Sequence, residues 1–539
     1  MGRETNIDSI RALEKQIEEG KGDVIKLKRA RNSLLNISTR VPPEILGYIF
    51  GRNLVRKADH SLGSPSHFAG LPKGSYNFLL VCHHWFEVAS CTPELWSFWG
   101  NTLQDWKKRH RRPGATPLDL VLNEYGSDPA VRFDEPLQDA VKSGVRQDAI
   151  RQVHLKSYDH NTLASILSSL IPDGESGQNE NIESIVWDNW GVSSNHFMDV
   201  SVFFTQSRLS MLRLLDLKGN FRIPSWDCLV PRVTLLTALS LEISTPLSPH
   251  TLTTSQLFSI FTSNPNLREL RLSNAAVPND ADASPLKVRL HSLKTLSLTG
   301  EFRLLFGLLY RLILPEALDE VRLVISNPTV VDISQTFGPY IRDHFRRDAR
   351  FQDKLEISSS SSCNYTTILV GTVRTLTALL ARQPRARLMV ALFNHPPEIL
   401  DQLLINLTAH IPLERVVSLD TDGSTNLPEE VFCMMPNVET MRISRTRLSE
   451  GFLQPNPDGP YATTKLLPSL RLLRLEYVVL AGDGDWDHLV TYLSHQSSGG
   501  QAISLELIGQ FPSTPPVMNG IKNLVTEFTC RRNLWGGED

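Results

Sequence analysis

Apolar residues along most of the chain follow a repeated spacing, at the first, fourth and sixth positions of short segments. The clearest segment runs from Leu212 to Asn220 and places Leu212, Leu215 and Leu217 at those positions. Where neighbouring segments are clear, their starts lie roughly 24–32 residues apart. The other apolar triplets are Ile150, Val153 and Leu155; Ile182, Ile185 and Trp187; Leu236, Leu239 and Leu241; Leu267, Leu270 and Leu272; Leu293, Leu296 and Leu298; Leu318, Val321 and Leu323; Val438, Met441 and Ile443; and Leu470, Leu473 and Leu475.

This spacing predicts short strands that each bury one face. Successive residues of a strand point to opposite sides, so we expect Leu215 and Leu217 to face a core and Asp216 to face solvent. One such strand cannot bury its apolar row alone, whereas stacked copies form a continuous sheet and core. The segment from Leu118 to Leu122 alternates in the same way and is a candidate for the first strand of this region.

Helices are predicted between some of these strands, for example from Ser255 to Thr262, where three apolar residues share one face. The strand pattern weakens between Leu323 and Leu413, so we expect an irregular arrangement there. The elements expected in that part are strands at 355–357 and 388–392, a helix near 375–381 and a loop over the serine run at 358–362.

A helical pattern occupies the stretch from Val41 to Trp99. Pro42 and Pro43 suit the first turn of a helix, where a missing N–H costs little, and Glu44 favours the positive end of the helix dipole. Behind them, apolar residues at one-four spacing predict a single stripe made of Ile45, Leu46, Ile49 and Phe50.

A second short helix is predicted after residues 51–76, whose Gly, Ser, His and Pro content indicates a surface loop. One face of this helix carries Val81, Trp85, Val88 and Ala89. Thr92 can then cap a further short helix that starts at the following proline. Two helices of this size are too small to bury their own stripes, so we expect them to contact a partner.

Three motifs in this order resemble the F-box, in the form common in fungal F-box-like proteins. They are Pro-Pro-Glu-Ile-Leu at 42–46, Val-Cys-x-x-Trp at 81–85 and Thr-Pro-x-Leu-Trp at 92–96. The resemblance implies that this module docks on a Skp-type adaptor, and through it on a cullin, while C-terminal repeats hold a protein substrate. The residues to which it assigns adaptor contact are Pro42, Pro43, Ile45, Leu46, Ile49, Leu80, Val81, Trp85 and Trp96; some of them must form the module's own core.

The later repeats resemble leucine-rich F-box receptors more loosely, because only the Leu212 segment has asparagine at its ninth position, Asn220. The patterns together predict an α/β protein, with an N-terminal helical F-box followed by an irregular leucine-rich-repeat solenoid. The expected divisions are an N-terminal helix at 1–36, an F-box-like domain at 38–100, a basic linker at 101–114 and a leucine-rich-repeat-like solenoid at 115–530.

Two further N-terminal features each leave two interpretations open. A rough heptad, interrupted by Gly20 and Arg31, predicts a helix that either dimerises as a coiled coil or packs locally. Its apolar positions are Ile10, Leu13, Ile17, Val24, Leu27 and Leu34. The basic run from Lys107 to Arg112 could bind a nuclear import receptor or a polyanion, but such runs are frequent on surfaces and it also suits the solvated face of a linking helix.

Composition narrows the class of protein. The formal net charge of −3 over 539 residues gives no reason to expect nucleic-acid binding. The residues after Met1 are charged and polar, and no window approaches about 18 uninterrupted apolar residues, so we expect neither a signal peptide nor a membrane span. Six cysteines without a Cys-x-x-Cys pair indicate a reduced chain in the cytoplasm, the nucleus or both.

The sequence predicts no catalytic residue, cofactor or metal site. The acidic stretch at 483–487 resembles a calcium loop, but His488 stands where that loop needs glycine and Ser494 where it needs glutamate. We therefore expect a solvated acidic turn. The expected function is that of a non-enzymatic substrate receptor of an SCF-type cullin–RING ubiquitin ligase. The alternative is a leucine-rich-repeat scaffold or interaction protein that is not assembled into a ubiquitin ligase.

Overall fold

The structure is a computed structural model of the chain, and it forms two compact units, Met1–His250 and Thr251–Asp539. Both units are mixed α/β. The residues that the structure describes are 2–19, 26–28, 30–31, 41–55, 83–92, 98–99, 118–123, 150–156, 181–189, 198–199, 204, 209–219, 221–222, 232–243, 252–274, 276–277, 287–315, 318–345, 354–360, 365–371, 388–393, 399–423, 427–444, 466–478, 483–498, 500, 503–509 and 515–531. Within these ranges, no helix is long and apolar enough to cross a membrane.

The first unit contains a parallel sheet preceded by helices. Its helices are α1 (Gly2–Glu18), α2 (Pro43–Val55) and α3 (His83–Cys91). Its strands are β1 (Phe98–Trp99), β2 (Leu118–Asn123), β3 (Ile150–Lys156), β4 (Ser184–Asn189), β5 (Met198–Asp199), β6 (Leu214–Gly219), β7 (Phe221–Arg222) and β8 (Ala238–Ile243). Strands β1, β2, β3, β4, β6 and β8 pair in that order, all parallel, and β5 pairs with β7.

The register of this sheet aligns the predicted apolar residues in rows. One row joins Val153, Ile185, Leu215 and Leu239 on four neighbouring strands, and all four side chains are buried. The strands predicted in this unit are confirmed, including the one at 118–122. That strand is not the first, however, because β1 pairs with it from inside the predicted F-box-like range.

The predicted solvent exposure of Asp216 is wrong. Its side chain points away from the leucine row, as expected from strand alternation, yet the residue is only 3% exposed. Its Oδ2 lies 3.5 Å from Nζ of Lys218, two residues along the same strand. The outer face of this part of the sheet is therefore itself buried, and its charges are paired.

The second unit alternates strands and helices. Its helices are α4 (Thr254–Ser263), α5 (Phe302–Arg311), a π-helix (Asp332–Phe337), α6 (Gly338–Phe345), α7 (Leu400–Thr408), a 3-10 turn (Leu413–Arg415), α8 (Glu429–Cys433), α9 (Asp483–Ser498) and α10 (Pro515–Leu524). Its strands are β9 (Leu252–Thr253), β10 (Glu269–Ser273), β11 (Ala276–Val277), β12 (Val288–Arg289), β13 (Thr295–Glu301), β14 (Leu312–Ile313), β15 (Glu320–Ser326), β16 (Lys354–Ser360), β17 (Tyr365–Gly371), β18 (Leu388–Phe393), β19 (Ser418–Gly423), β20 (Thr440–Ser444), β21 (Leu472–Glu476), β22 (Ser504–Ile508) and β23 (Glu527–Arg531).

Two groups of longer strands in the second unit pair in parallel in the order in which they follow one another along the chain. Strands β10, β13 and β15 form one such run, and β19, β20, β21, β22 and β23 form another. Short ribbons join β9 to β11 and β12 to β14. The apolar triplets predicted here are buried, as in the row formed by Leu419, Met441, Leu473 and Leu505.

Between these two runs, the strands are not ordered as they are in the sequence. β18 pairs in parallel with β15, β16 pairs in parallel with β19, and β17 lies antiparallel between β18 and β16. The strands predicted at 355–357 and 388–392 are confirmed. The loop predicted over the serine run is wrong for Ser358 to Ser360, which belong to β16, and the helix predicted near 375–381 lies outside the described residues.

The helix predicted between Ser255 and Thr262 is confirmed as α4. Thr253 Oγ1 accepts a hydrogen bond from the Gln256 backbone N–H, while Gln256 Oε1 accepts one from the Thr253 N–H. This reciprocal pair is a capping box, and it satisfies N–H groups that have no partner inside the helix. At the other end, Asn264 Nδ2 donates to the carbonyl of Ile260 and closes the last turn.

A close approach of two segments requires glycine at the start of α6. A Cβ atom placed on Gly338 would overlap the imidazole ring of His410, which follows α7. By contrast, a Cβ placed on Gly307 in α5 would meet no atom within 4 Å. Gly338 is thus explained by packing inside the chain, and Gly307 is not.

Because Asp216 is buried, its substitution should destabilise the protein. The strand pattern alone would predict almost no effect, since it places Asp216 on the outward face. Asp216→Ala should reduce the free energy of unfolding by about 3 kcal/mol, since it leaves Lys218 without its partner in a largely buried site. Leu215→Ala should cost a comparable amount, about 2–5 kcal/mol, through the cavity it leaves. The exposed control Arg213→Ala should stay within about 0.5 kcal/mol in the same urea titration. An equally mild effect for Asp216→Ala would show that the outer face is open to water.

The two helical glycines should respond oppositely to alanine. Gly338→Ala should destabilise the protein by about 1–3 kcal/mol, because the added methyl group displaces the His410 ring. Gly307→Ala should instead stabilise it by about 0.5–1 kcal/mol, since alanine favours the helix and meets open space. Urea denaturation of both variants measures the difference, and equal stabilities would mean that the His410 ring moves aside freely.

Candidate functional site

The candidate site is the pair of helices α2 and α3. Their core consists of Leu46 and Phe50 from α2 with Val88 and Ala89 from α3. Trp85 packs against this cluster, its ring centroid 5.0 Å from that of Phe50. α2 starts as the prolines predict, because the N–H groups of Ile45 and Leu46 both donate to the carbonyl of Pro42.

A glycine allows the two helices to approach closely. The side chain of Thr92, which follows α3, lies against Gly47, and a Cβ on that glycine would come 2.9 Å from Thr92 Oγ1. The same hydroxyl donates to the carbonyl of Val88 at 2.8 Å, so its position is set by the last turn of α3. The paired helices are therefore a defined unit with a core of its own.

The outer face of α2 exposes large apolar side chains. Ile45 is 50% exposed, Tyr48 is 59% exposed and Ile49 is 43% exposed. Their spacing of three and four residues places them on one side of the helix. Phe86 on α3 is also exposed. We call Ile45, Tyr48 and Ile49 the apolar patch.

The residues predicted to contact an adaptor differ in their exposure to solvent. Pro42, Pro43, Ile45 and Ile49 are exposed, whereas Leu46 is 3% exposed and Trp85 is half-buried against the core. The predicted stripe on α2 is therefore only partly buried, because Leu46 and Phe50 lie in the core while Ile45 and Ile49 are exposed. The remaining predicted contacts, Leu80, Val81 and Trp96, lie outside the described residues, as does the basic run.

Sequence reasoning missed two of these exposed apolar residues, Tyr48 and Phe86. Tyr48 lies three residues after Ile45 and one before Ile49, so helical spacing alone could have placed it on the same face. Phe86 offered no such signal, since it stands beside Trp85 and either ring could have taken the core position. The loop predicted from residue 51 is also wrong at its start, because α2 continues to Val55.

The outer face of the first unit's sheet holds buried polar groups. Lys156 and Asp188 sit opposite each other on β3 and β4, and their Nζ and Oδ2 atoms are 3.1 Å apart. His154 Nε2 lies 3.0 Å from Ser184 Oγ. At low exposure such pairs require their partners, since a lone charge there would be costly. These side chains stabilise the sheet and leave little polar surface open to a ligand.

The second unit carries a chain of ion pairs across β19 to β22. Arg442 contacts Asp420 on one side and Glu476 on the other, and Arg474 contacts Glu476 and then Glu506. Glu476 is thus held between two guanidinium groups. Burial alone raises the pKa of Glu476, but hydrogen bonds and positive charge from Arg442, with Arg474 adding to them, leave that pKa below its ordinary value.

The acidic stretch at 483–487 is helical, so the predicted turn is wrong. It forms the first turn of α9, where carboxylates favour the helix dipole. The helix forms because Trp486, Leu489 and Leu493 recur on one face and are buried. In the part of the chain that the structure describes, no group of three His, Cys, Asp or Glu side chains could hold a metal ion.

Comparison with known proteins assigns no family: no family model matches the sequence, and no curated protein matches it significantly. Functional inference therefore depends on the motifs and on the geometry of the α2–α3 pair.

The ion pairs of Glu476 predict a pH dependence of stability. The pKa of Glu476 is lower in the folded state than in the unfolded state, where it is about 4.3. The ionised carboxylate therefore stabilises the folded protein above about pH 4.3, and this stabilisation is lost as the pH falls through the folded-state pKa. Glu476→Gln should therefore be less stable than the natural chain near neutral pH, and the gap should close in acid. Urea denaturation at several pH values measures it.

The control for this experiment removes the cause of the shift. In an Arg442→Met background, Glu476→Gln should have a smaller effect at neutral pH, because the main partner of the carboxylate is already absent. A pH-independent gap in the natural background would show that the ion pairs do not control this carboxyl group.

Proposed function

We propose that this protein is the substrate-recognition subunit of an SCF-type cullin–RING ubiquitin ligase. In this proposal the α2–α3 pair is an F-box that binds a Skp-type adaptor, and the strand-rich region binds a protein substrate. The observation that carries the proposal is the apolar patch, which combines Ile45, Tyr48 and Ile49 on one face of a helix that begins with the F-box-like motif at 42–46. Three large apolar side chains this exposed on one face indicate a protein contact.

The energetics of the patch suit such a contact. Removing apolar surface from water is favourable by about 25 cal/mol per Å², and exposed isoleucine and tyrosine side chains still have most of that gain available. The core under the patch, formed by Leu46 and Phe50 against α3, already holds α2 in place. A partner would therefore meet a preformed surface and lose little free energy to ordering it.

We further propose that the parallel strands are turns of an irregular leucine-rich-repeat solenoid. The support is the order of pairing, since β1 to β8 without β5 and β7, and β10, β13 and β15, and β19 to β23, each pair in parallel in chain order and keep their buried rows in register. The reordered strands β16 to β18 interrupt this pattern in the second unit. A stack of this kind offers an extended surface on which a protein substrate could be held.

In such a ligase the chain itself would carry out no chemical step. It would hold a substrate lysine near the ubiquitin-bearing enzyme and so raise the effective concentration of the two reactants. The compartment would be cytoplasmic, nuclear or both. The substrate-binding residues would lie on the strand-rich region and its connections.

The proposal predicts that charge on the apolar patch abolishes adaptor capture. Ile49→Asp and Ile45→Asp should each weaken binding to a purified Skp-type adaptor by about a hundredfold or more, since an unpaired carboxylate would be buried in the interface. Leu46→Asp is unsuitable for this test, because Leu46 lies in the core and its substitution would unfold the helices. Circular dichroism and hydrogen exchange on α2 establish that the patch variants remain folded.

A matched control is Leu235→Asp, which charges an exposed leucine far along the sequence and should leave adaptor binding unchanged. If folded Ile45→Asp and Ile49→Asp variants bind the adaptor as the natural chain does, the patch is not the contact surface. If the natural chain captures neither adaptor nor cullin, the scaffold hypothesis replaces the ligase.

A further inference from the structure

The last strand of the second unit, β23, has one edge that no strand covers within the described residues. Its other edge pairs with β22 along the whole strand, from Glu527 to Arg531. Side chains at both ends of β23 are accessible, since Glu527, Cys530 and Arg531 are exposed. An open edge of this kind presents backbone N–H and C=O groups that can pair with a further strand.

The register of β22 and β23 shows which backbone groups face the open edge. The N–H of Gly509, which follows β22, donates to the carbonyl of Arg531, so the backbone groups of Arg531 point toward β22. These groups alternate in direction along a strand. Those of Thr529 therefore also point toward β22, while those of Phe528 and Cys530 point away from it.

The apolar rows that end at β23 are covered less well there than on the strands before it. Phe528 continues the buried row that contains Leu505 of β22. Cys530 continues the row that contains Leu507. Phe528 is nevertheless only half-buried and Cys530 is exposed, although Nζ of Lys522 in α10 lies 5.7 Å from the centroid of the Phe528 ring. A further strand beside β23 would extend both rows, as each strand does for the one before it.

The charges on β23 are placed symmetrically about its centre. Glu527 and Arg531 stand at equal distances before and after Thr529 in the strand Glu-Phe-Thr-Cys-Arg. Alternate residues of a strand share a face, so these three side chains point to the same side of the sheet. Charged residues on an edge strand usually discourage pairing. An antiparallel copy of β23 is an exception, because it places an opposite charge against each of them.

Backbone direction and charge together select one alignment of two such strands. Outward-facing groups must meet outward-facing groups, so a two-fold axis relating the copies passes through a residue and not between two residues. An axis at Glu527 or at Arg531 would oppose like charges. An axis at Phe528 or at Cys530 would leave a charged residue opposite Thr529. Only an axis at Thr529 places Glu527 of each copy opposite Arg531 of the other.

We propose that β23 pairs antiparallel with β23 of a second copy of this chain, with the two-fold axis at Thr529. Phe528 of each copy then exchanges backbone hydrogen bonds with Cys530 of the other. The two threonines face each other as a β-branched pair, with Glu527 and Arg531 forming an ion pair on either side. The contact is isologous, as in most homodimers. One pair of short strands makes a small interface, so the dimer dissociates on dilution. The proposal is independent of adaptor binding.

The experiment is sedimentation velocity of the full chain over a series of concentrations. The natural chain should convert from monomer to dimer as its concentration rises toward about 100 μM. Glu527→Arg and Arg531→Glu should each weaken dimerisation by about tenfold or more, because like charges then face each other. Mixing these two variants should restore the dimer, since one presents only arginines at these positions and the other only glutamates. The exposed control Arg268→Glu should dimerise as the natural chain does.

Two further variants test the backbone pairing and the register. Cys530→Pro removes an N–H that points away from β22, so it should weaken dimerisation while leaving the fold intact, as thermal unfolding would establish. Thr529→Cys in a Cys530→Ser background should form a disulfide-linked dimer under mild oxidation, because residues on the axis lie directly opposite each other. The Cys530→Ser variant alone is its control and should form no such link.

Three outcomes would overturn the proposal. A natural chain that remains monomeric at about 100 μM has no such contact. A dimer that persists unchanged in both Glu527→Arg and Arg531→Glu forms through another surface, such as the heptad of α1. If each charge variant is monomeric and their mixture is monomeric too, the two residues do not face each other across an axis at Thr529.

Discussion

A strand with one apolar row cannot bury that row alone, and the rest of this structure depends on that constraint. Each predicted strand has its leucine-rich positions covered only because the next strand repeats them in register, as Leu215 does beside Ile185 and Leu239. The alignment extends into the turns before the strands. The N–H of Arg213 donates to the carbonyl of Glu183, and the N–H of Thr237 donates to that of Arg213. Side-chain rows and backbone ladder therefore impose the same register.

The opposite face of each sheet makes that register harder to change. A slip of one residue would move every buried leucine to the outside and bring charges such as Asp216 and Lys218 into the apolar row. In the first unit the outer charges are buried in pairs, and in the second Arg442 and Arg474 alternate with carboxylates. These ion pairs contribute modest stability, but alternative alignments would leave them without partners at high cost.

The sequence predicted strands well because their signal is local. Alternation with a period of two depends only on neighbouring residues, so positions such as Leu270 and Leu272 could be placed without knowing the tertiary structure. Exposure was predicted less well, because it depends on what covers a face. Asp216 alternates like a surface residue, yet other parts of the structure exclude water from it.

Helices showed the same division between local pattern and tertiary context. The prolines and the spacing predicted α2, but they could not show which of two adjacent residues, Ile45 or Leu46, would face α3. In the structure Leu46 packs against α3, and the next residue, Gly47, lies in close contact with Thr92. The acidic stretch at 483–487 was wrongly predicted to be a turn for a related reason. Carboxylates are common in metal-binding loops, but they also favour the first turn of a helix such as α9.

The division of roles between strands and helices follows from these constraints. Outward strand residues are occupied in pairs such as Lys156 with Asp188 or Arg442 with Glu476, so they are costly to redirect toward a partner. A solvent-facing residue of a helix can be substituted without leaving a buried charge unpaired. Two areas that expose large side chains, around Tyr48 on α2 and around Tyr310 on α5, are helical faces backed by buried residues. In an architecture built from stacked strands, residues at such faces can be substituted without disturbing the register on which the fold depends.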